Sequence, residues 1–220
     1  MTMTFGGVLV LVEPTLANSP TEEQPAASLP QQDANSLFER GIAKIELGDY
    51  QGAISDFDRV ITLNPQYIEA YCNRGMAHFG LGNYQSAIAE FDLALKIDPG
   101  HADAFNRRGI VLAQQGNLHQ ALTDFDLALK FAPNFVDAYY NRGKARTEVG
   151  NYQGAIADYD RAIDLDPSLA EAYGNRGYVR AQLGNKKQGL QDLQQAAQLF
   201  LDMGNIAGYQ QTLTYMEIIK

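Results

Sequence analysis

Two columns of charged residues, each repeating every 34 positions, are the part of this sequence best suited to chemistry. A row of guanidinium groups could bind the carboxylates or phosphates of an acidic ligand, because arginine makes paired hydrogen bonds to such groups. The alternative is that each arginine pairs with an acid on a neighbouring helix. Equal periods favour pairing, since a ligand would not need a matching acid every time. The columns are Arg40, Arg74, Arg108, Arg142 and Arg176, and Asp56, Glu90, Asp124, Asp158 and Asp192.

Residues with the spacing of a catalytic or metal site are not found in the sequence. The three histidines, His78, His101 and His119, occupy unmatched positions, although His101 could lie at the mouth of a groove. No Ser/His/Asp or Cys/His arrangement, metal-ligand spacing or glycine-rich phosphate loop accompanies them. Cys72, the single cysteine, is interpreted as a small buried hydrophobic residue. The sequence therefore predicts a non-catalytic protein with no metal, cofactor or small-molecule substrate.

Charge narrows the range of partners. The formal net charge is −9, and residues 1–33 contain four acidic residues and no basic one. An acidic chain without a basic cluster argues against nucleic acid and anionic membranes as ligands. A protein or peptide is therefore the expected partner, and association into a homo-oligomer stays open.

Both charged columns belong to a longer self-similarity that covers residues 34–203 in five blocks: 34–67, 68–101, 102–135, 136–169 and 170–203. Each block contains apolar residues at helical spacing, a glycine suited to a left-handed turn, and an Asp or Asn suited to cap a second helix. In four blocks a proline ends that helix. The pattern predicts two helices per block. The turn glycines are Gly48, Gly82, Gly116, Gly150 and Gly184; the caps are Asp49, Asn83, Asn117, Asn151 and Asn185; the prolines are Pro65, Pro99, Pro133 and Pro167.

A second column of glycines lies inside the predicted first helix, where each costs about 1 kcal/mol relative to alanine. A repeated cost indicates a repeated cause. The predicted cause is close approach of the second helix, which offers a small residue at the contact. The glycines are Gly41, Gly75, Gly109, Gly143 and Gly177, and the small residues are Ala53, Ala87, Ala121, Ala155 and Gly189.

These blocks resemble the tetratricopeptide repeat (TPR) family, in which helix-turn-helix units stack into a solenoid. The resemblance implies an all-α, right-handed superhelical solenoid of five repeats. In the fifth block, Lys186, Gly189 and Leu201 replace the tyrosine, alanine and proline, so its second helix is expected to run longer and pack less tightly. Besides the columns above, the resemblance rests on large and aromatic residues: Leu37, Tyr71, Phe105, Tyr139, Tyr173, Tyr50, Tyr84, Tyr152, Phe57, Phe91, Phe125 and Tyr159.

Segments on either side of the repeats are predicted from composition. In the N-terminal segment, residues 1–33, an apolar run at 5–12 loosely resembles part of a signal peptide. Export to a periplasm or lumen is expected if the assigned start is misplaced, and a cytoplasmic location otherwise. Residues 18–32 are predicted to be a disordered linker, followed by Asp33 as the first helix cap, and residues 1–32 as a whole are predicted to be dispensable for folding.

Residues 204–220 are predicted to form a final capping helix, because a solenoid needs a cover for its last apolar surface. Gly204 and Asn205 break the chain after the fifth block. The face predicted to pack against the repeats consists of Ile206, Tyr209, Leu213, Met216 and Ile219.

The resemblance to the TPR family also suggests one specific ligand, the C-terminal carboxylate of a chaperone tail. Asn73 and Arg107 match two of the positions that grip such a carboxylate. Phe38, Ile42 and Asp103 stand where a lysine, an asparagine and a second lysine are required, and an aspartate would repel the ligand. The sequence therefore excludes this ligand.

The remaining inner face of the first helices is apolar in blocks one and two, and mixed and tyrosine-bearing in blocks three to five. Such apolar patches usually mark a binding site, although single residues could instead pack between blocks. We expect a scaffold whose concave groove binds an extended or helical segment of a partner protein, as an assembly or adaptor factor. The alternative is a self-associating structural module, with the groove filled by another copy or by its own N-terminal segment. The predicted groove residues are Phe38, Ile42, Ile45, Met76, Phe79, Asn106, Ile110, Tyr140, Lys144 and Tyr178.

Overall fold

The fold is described by a computed structural model for residues 28–219, and every regular element within that range is an α-helix. Consecutive helices pack against each other, most extensively within the pairs α1/α2, α3/α4, α5/α6, α7/α8 and α9/α10. The predicted all-α solenoid is confirmed, whereas its handedness and exact repeat count stay predictions. The helices are α1 (Ser28–Glu46), α2 (Tyr50–Leu63), α3 (Ile68–Gly80), α4 (Tyr84–Ile97), α5 (Ala102–Gln114), α6 (Leu118–Phe131), α7 (Val136–Glu148), α8 (Tyr152–Leu165), α9 (Ala170–Gln182), α10 (Lys186–Asp202) and α11 (Ile206–Ile219).

The start of α1 differs from the prediction. The helix begins at Ser28, so Asp33 lies inside it and is not its cap, and the last residues of the predicted linker are helical. The predictions for residues 1–27, including the signal-peptide resemblance, lie outside the described residues. Within residues 28–219, no helix combines the length and the apolar character needed to cross a membrane.

The turn inside each pair uses its glycine as predicted. Gly48 has a φ of 77°, a backbone region that favours glycine, and its amide donates to the Ile45 carbonyl at 2.9 Å. The next amide, of Asp49, donates to the Lys44 carbonyl at 2.8 Å. The same two bonds recur in the other four pairs, so each second helix leaves its turn in the same direction.

The predicted side-chain caps form in only some of the pairs. Asn151 accepts a hydrogen bond from the Gly154 amide at 3.1 Å, and Asp49 caps α2 in the same way. Asn83, Asn117 and Asn185 make no such bond, which corrects the prediction. The residue three positions after the cap explains the difference, because a Cβ at Gly154 would lie 2.8 Å from the Asn151 side chain. The three unbonded caps are followed at that position by Ser86, Gln120 and Gln188.

In the first four pairs the glycine inside the first helix contacts an aromatic ring and not the predicted small residue, whereas in the fifth pair it contacts the predicted Gly189. A Cβ at Gly109 would lie 2.7 Å from Phe125 Cε1, and a Cβ at Gly143 would lie 2.7 Å from Tyr159 Cε1. The fifth pair has Leu193 in place of the ring, and there a Cβ at Gly177 would lie 2.8 Å from the Gly189 carbonyl oxygen. Without the ring, the backbones of α9 and α10 therefore approach each other closely at Gly177 and Gly189. Helix α10 is longer, as predicted, but the expectation of looser packing was wrong.

The arginine column forms an ion-pair network, here called the arginine ladder: Arg40, Arg74, Arg108, Arg142 and Arg176 with their acids. Arg108 donates to Asp124 of its own pair at 2.7 Å and to Asp92 of the preceding pair at 2.5 Å. The pairing interpretation is confirmed. A second acidic column with the same period was not predicted from the sequence and consists of Asp58, Asp92, Asp126 and Asp160.

The two acidic columns of the arginine ladder differ in exposure. The own-pair aspartates are buried, whereas Asp126 and Asp160 of the preceding-pair column are 58% and 44% exposed in their side chains. The hydrogen bond from Arg40 lowers the pKa of Asp56 to about 2, so this carboxylate stays charged although it is buried. The ladder thus ties each first helix to its own second helix, and from the second pair onward it also ties each first helix to the preceding unit through an exposed acid.

Helix α11 packs through part of the predicted face. Ile219 is buried and Tyr209 packs against the core cluster around Phe200, whereas Ile206 and Leu213 are 52% and 38% exposed and Thr212, which was not predicted, is buried. The turn before α11 repeats the within-pair turn, with Gly204 at a φ of 69°, and α11 therefore folds back against α10. A Cβ at Gly208 would lie 2.7 Å from the Phe200 ring, so the small residues of α11 form its close side.

We expect Gly109→Leu to lower the free energy of unfolding by at least about 1–3 kcal/mol, because even a Cβ at this position overlaps the Phe125 ring. Urea denaturation monitored by circular dichroism measures the loss. Lys144→Ala, at an exposed position, is the control and should unfold at the wild-type midpoint. Equal midpoints for the two variants would contradict this packing.

The two acidic columns offer a matched comparison. Asp124→Asn removes a buried partner of Arg108 and should cost about 3–5 kcal/mol. Asp126→Asn removes an exposed partner of Arg142 and should cost less than about 1 kcal/mol. Both losses can be read from urea denaturation midpoints, and equal losses would show that burial does not rank these pairs.

Candidate functional site

The first helices α1, α3, α5, α7 and α9 lie side by side, and their shared surface is here called the first-helix face. Polar side chains link neighbouring helices across it. Asn141 Nδ2 donates to Asn106 Oδ1 at 3.1 Å, and Asn175 Nδ2 donates to the Tyr140 hydroxyl at 3.2 Å. Asn106, a predicted groove residue, is therefore buried and hydrogen-bonded.

The predicted groove residues of the first pair are largely packing residues. Phe38, Ile42 and Ile45 are partly buried against the first core cluster. The Phe38 ring lies 5.0 Å from the Tyr67 ring and 5.8 Å from the Phe57 ring, measured between centroids. These contacts hold Phe38 against the second helix of its own pair and the start of the next pair.

The second pair repeats this arrangement. Met76 and Phe79 pack against the core cluster around Phe91, and the Phe79 ring lies 5.7 Å from the Tyr84 ring. Much of the surface of Met76 and Phe79 is therefore packed against the core.

The predicted residues from pairs four and five come together around one cavity of about 570 Å³ between α7, α9 and α11. Tyr140, Lys144 and Tyr178 all line it. A neighbouring recess of about 90 Å³ is lined by Ile110 and shares Lys144 with the larger cavity. None of the five predicted residues from pairs one and two lines either cavity. The other residues lining the large cavity are Thr147, Glu148, Tyr159, Glu171, Gly174, Asn175, Leu193, Phe200, Gln211, Thr212 and Tyr215.

Two tilted pairs of tyrosine rings form much of the cavity wall. The Tyr140 and Tyr159 ring centroids are 6.2 Å apart, and those of Tyr178 and Tyr215 are 5.9 Å apart. Tyr159 is fully buried, its hydroxyl lies 3.2 Å from Thr147 Oγ1, and burial raises its pKa above the usual range. Tyr178 is 39% exposed, so the second ring pair stands at the open side of the cavity.

Charged groups stand beside the rings. Lys144 Nζ lies 5.6 Å from the centroid of the Tyr140 ring. Burial, with a smaller contribution from the Glu171 carboxylate, raises the pKa of Tyr140. Within residues 33–219 the ion pairs include neither Glu148 nor Glu171. The cavity therefore carries two carboxylates and one ammonium group.

The remaining candidates for chemistry have structural roles. His101 caps α5, because its Nδ1 accepts from the Ala104 amide at 3.1 Å. Cys72 is buried, and burial raises its pKa to about 12, which disfavours the reactive thiolate. Arg107 forms an ion pair with Asp103 at 2.6 Å, so the aspartate compensates its positive charge. Across the described part of the chain, no group of three or more His, Cys, Asp or Glu is placed to hold a metal ion.

Family profiles described as "TPR repeat" match residues 111–150 and 143–184, and profiles described as "Tetratricopeptide repeat" match residues 38–102 and 170–203. Together they cover most of the helix pairs. The chain belongs to the TPR family. Comparison with curated proteins finds no significant match.

Solved TPR structures share the fold at low identity. MamA from Desulfovibrio magneticus RS-1 is 24% identical, with a TM-score of 0.65 over 77% of this chain and 96% of that chain. TTC0263 from Thermus thermophilus is 20% identical, with a TM-score of 0.69 over 82% and 99%. YrrB, described as a TPR protein with an unusual peptide-binding site, is 22% identical, with a TM-score of 0.59 over 80% and 91%.

Several residues that line the large cavity were not predicted from the sequence, some of them outside the TPR period and some within it. Gln211, Thr212 and Tyr215 of α11 line the large cavity, but no repeated column pointed to them. Tyr159 was placed in the aromatic column and is indeed core, yet it also forms the cavity floor. Glu171 occupies a regular first-helix position, and its lack of an ion pair could not be read from the sequence.

The difference between the two halves of the first-helix face predicts unequal tolerance to charge. Phe79→Glu should lower the free energy of unfolding by about 2 kcal/mol or more, because the carboxylate would displace a ring packed on the core. Tyr178→Glu, at a 39% exposed position, should cost much less. Thermal unfolding of both variants checks this, and a larger loss for Tyr178→Glu would reverse the assignment of packing and open surface.

Proposed function

We propose that this TPR protein is a non-catalytic scaffold that binds an extended or helical segment of a partner protein in a concave groove along the first-helix face. The observation that carries the proposal is the cavity of about 570 Å³ lined by Tyr140, Lys144 and Tyr178. Its volume lies in the range of sites that enclose a ligand, and it lies on the surface that the first helices share.

The composition of the cavity supports a protein ligand. Tyrosine side chains supply large contact area at low conformational-entropy cost and are enriched among residues that dominate binding energy. Asn175 and Thr212 add hydrogen-bonding groups at the wall. The YrrB description, a TPR protein with a peptide-binding site, is consistent with a peptide as the ligand of this fold.

The groove centre in this proposal lies in pairs four and five and not in the apolar half. Phe38, Ile42, Ile45, Met76 and Phe79 are partly buried, so their outer edges extend the contact surface without forming a pocket. The role that we propose for such a groove is that of an assembly or adaptor factor.

Selection of dodecapeptides from a random phage-displayed library tests the proposal. Selected peptides should bind the full chain in calorimetry, and Tyr140→Ala/Tyr178→Ala should weaken them at least tenfold, because both rings line the cavity. Leu47→Ala, at an exposed turn position far along the chain, should bind as the wild type.

The outcomes distinguish the proposed scaffold from the alternative, a self-associating structural module. Selected peptides that bind the tyrosine variant unchanged would place binding elsewhere and contradict the proposal. A concentration-dependent dimer in light scattering, lost in the same variant, would favour the self-associating module instead.

A further inference from the structure

We infer that the large cavity between α7, α9 and α11 receives the cationic side chain, arginine or lysine, of a basic partner segment. This inference rests on the proposed function and specifies the ligand of that site. It is carried by three observations at the cavity: the arrangement of its rings, its unpaired carboxylates, and the charge of the rest of the chain.

The tyrosine rings form a surface that attracts cations. The face of an aromatic ring carries negative potential, and an ammonium or guanidinium within about 6 Å of its centroid is attracted. Lys144 Nζ already stands 5.6 Å from the Tyr140 centroid, so the folded protein itself places a cation against this ring. Tyr178 and Tyr215, at the open side, have no such cation among the described residues.

The carboxylates complete the site for a positive charge. Glu148 and Glu171 line the cavity, and the ion pairs of residues 33–219 include neither of them. By contrast, the own-pair acids of the arginine ladder are each held by one or two basic side chains. With Lys144 as the single basic lining residue, the lining carries a net charge of about −1 at neutral pH.

Charge also disfavours two other occupants of the cavity. Residues 1–33 contain four acidic residues and no basic one, so this segment would bring like charge to the site. A second copy of the chain carries a net charge of −9 and would be repelled over a longer range. A basic segment of a different protein is attracted by both the cavity and the whole chain.

The test uses the peptides selected on the full chain, with one arginine or lysine replaced at a time. Arginine becomes citrulline, which keeps the shape and loses the charge, and lysine becomes norleucine. We expect basic residues in the selected peptides, and one replacement should weaken binding at least fivefold in calorimetry. Higher salt should weaken the basic peptide more than its neutral counterpart, since screening reduces charge attraction.

Variants of the protein locate the effect at the cavity. Glu148→Gln/Glu171→Gln should weaken the basic peptide at least fivefold and leave the neutral peptide unchanged, because the coupling requires both charges. Glu69→Gln is the matched control, since Glu69 occupies in α3 the repeat position that Glu171 occupies in α9. It should bind both peptides as the wild type.

Each outcome decides between the two proposals. The cation inference would be overturned, and the groove left in place, by peptides that need Tyr140 and Tyr178 but carry no basic residue. The same holds for peptides that bind the double glutamine variant as tightly as the wild type. Basic peptides that bind the tyrosine variant as tightly as the wild type would overturn both proposals. Peptides that lose binding equally with Glu69→Gln would show general charge attraction and also overturn the inference.

Discussion

A guanidinium group shared between two helix pairs is the interaction on which the rest of this structure depends. Arg142 binds the buried Asp158 of its own pair and the exposed Asp126 of the preceding pair, and the same geometry recurs along the arginine ladder. Because a guanidinium is planar and directs its donors in a rigid fork, it constrains orientation as well as distance. The ladder therefore sets how each first helix stands beside the next, and that spacing determines which side chains of α7 and α9 face each other across the cavity.

Much of the fold could be predicted from the sequence because each structural signal recurs in five blocks of 34 residues. The helices, the turn glycines and the pairing of charges could all be predicted from such recurring signals. The contact partner of the helix glycines could not be predicted, since the reach of Phe125 onto Gly109 depends on its rotamer and on the crossing of the two helices. The missing caps depended on a Cβ three positions away, which the cap residue alone does not reveal.

The candidate site was harder to predict because exposure depends on the neighbouring unit. Tyr140, Lys144 and Tyr178 line the large cavity, whereas Phe38 and Phe79 share the same helix face and pack largely on the core. The cavity arises where the periodic array ends and α11 folds back against α10. Its second ring pair, Tyr178 with Tyr215, joins a periodic helix to a non-periodic one, and no column of the sequence contains both.

The arginine ladder also bears on how such a chain can change length during evolution. Removing residues 102–135 as a unit would bring Asp92 to the position where it meets Arg142. Arg142 would then keep one acidic partner in its own pair and one in the preceding pair, as it has now. Duplicating the same unit would add one rung of identical chemistry. The large cavity, lined entirely by residues between 140 and 215, would be untouched by either event. Recombination within the gene can therefore alter the length of the helix array while the large cavity is inherited intact.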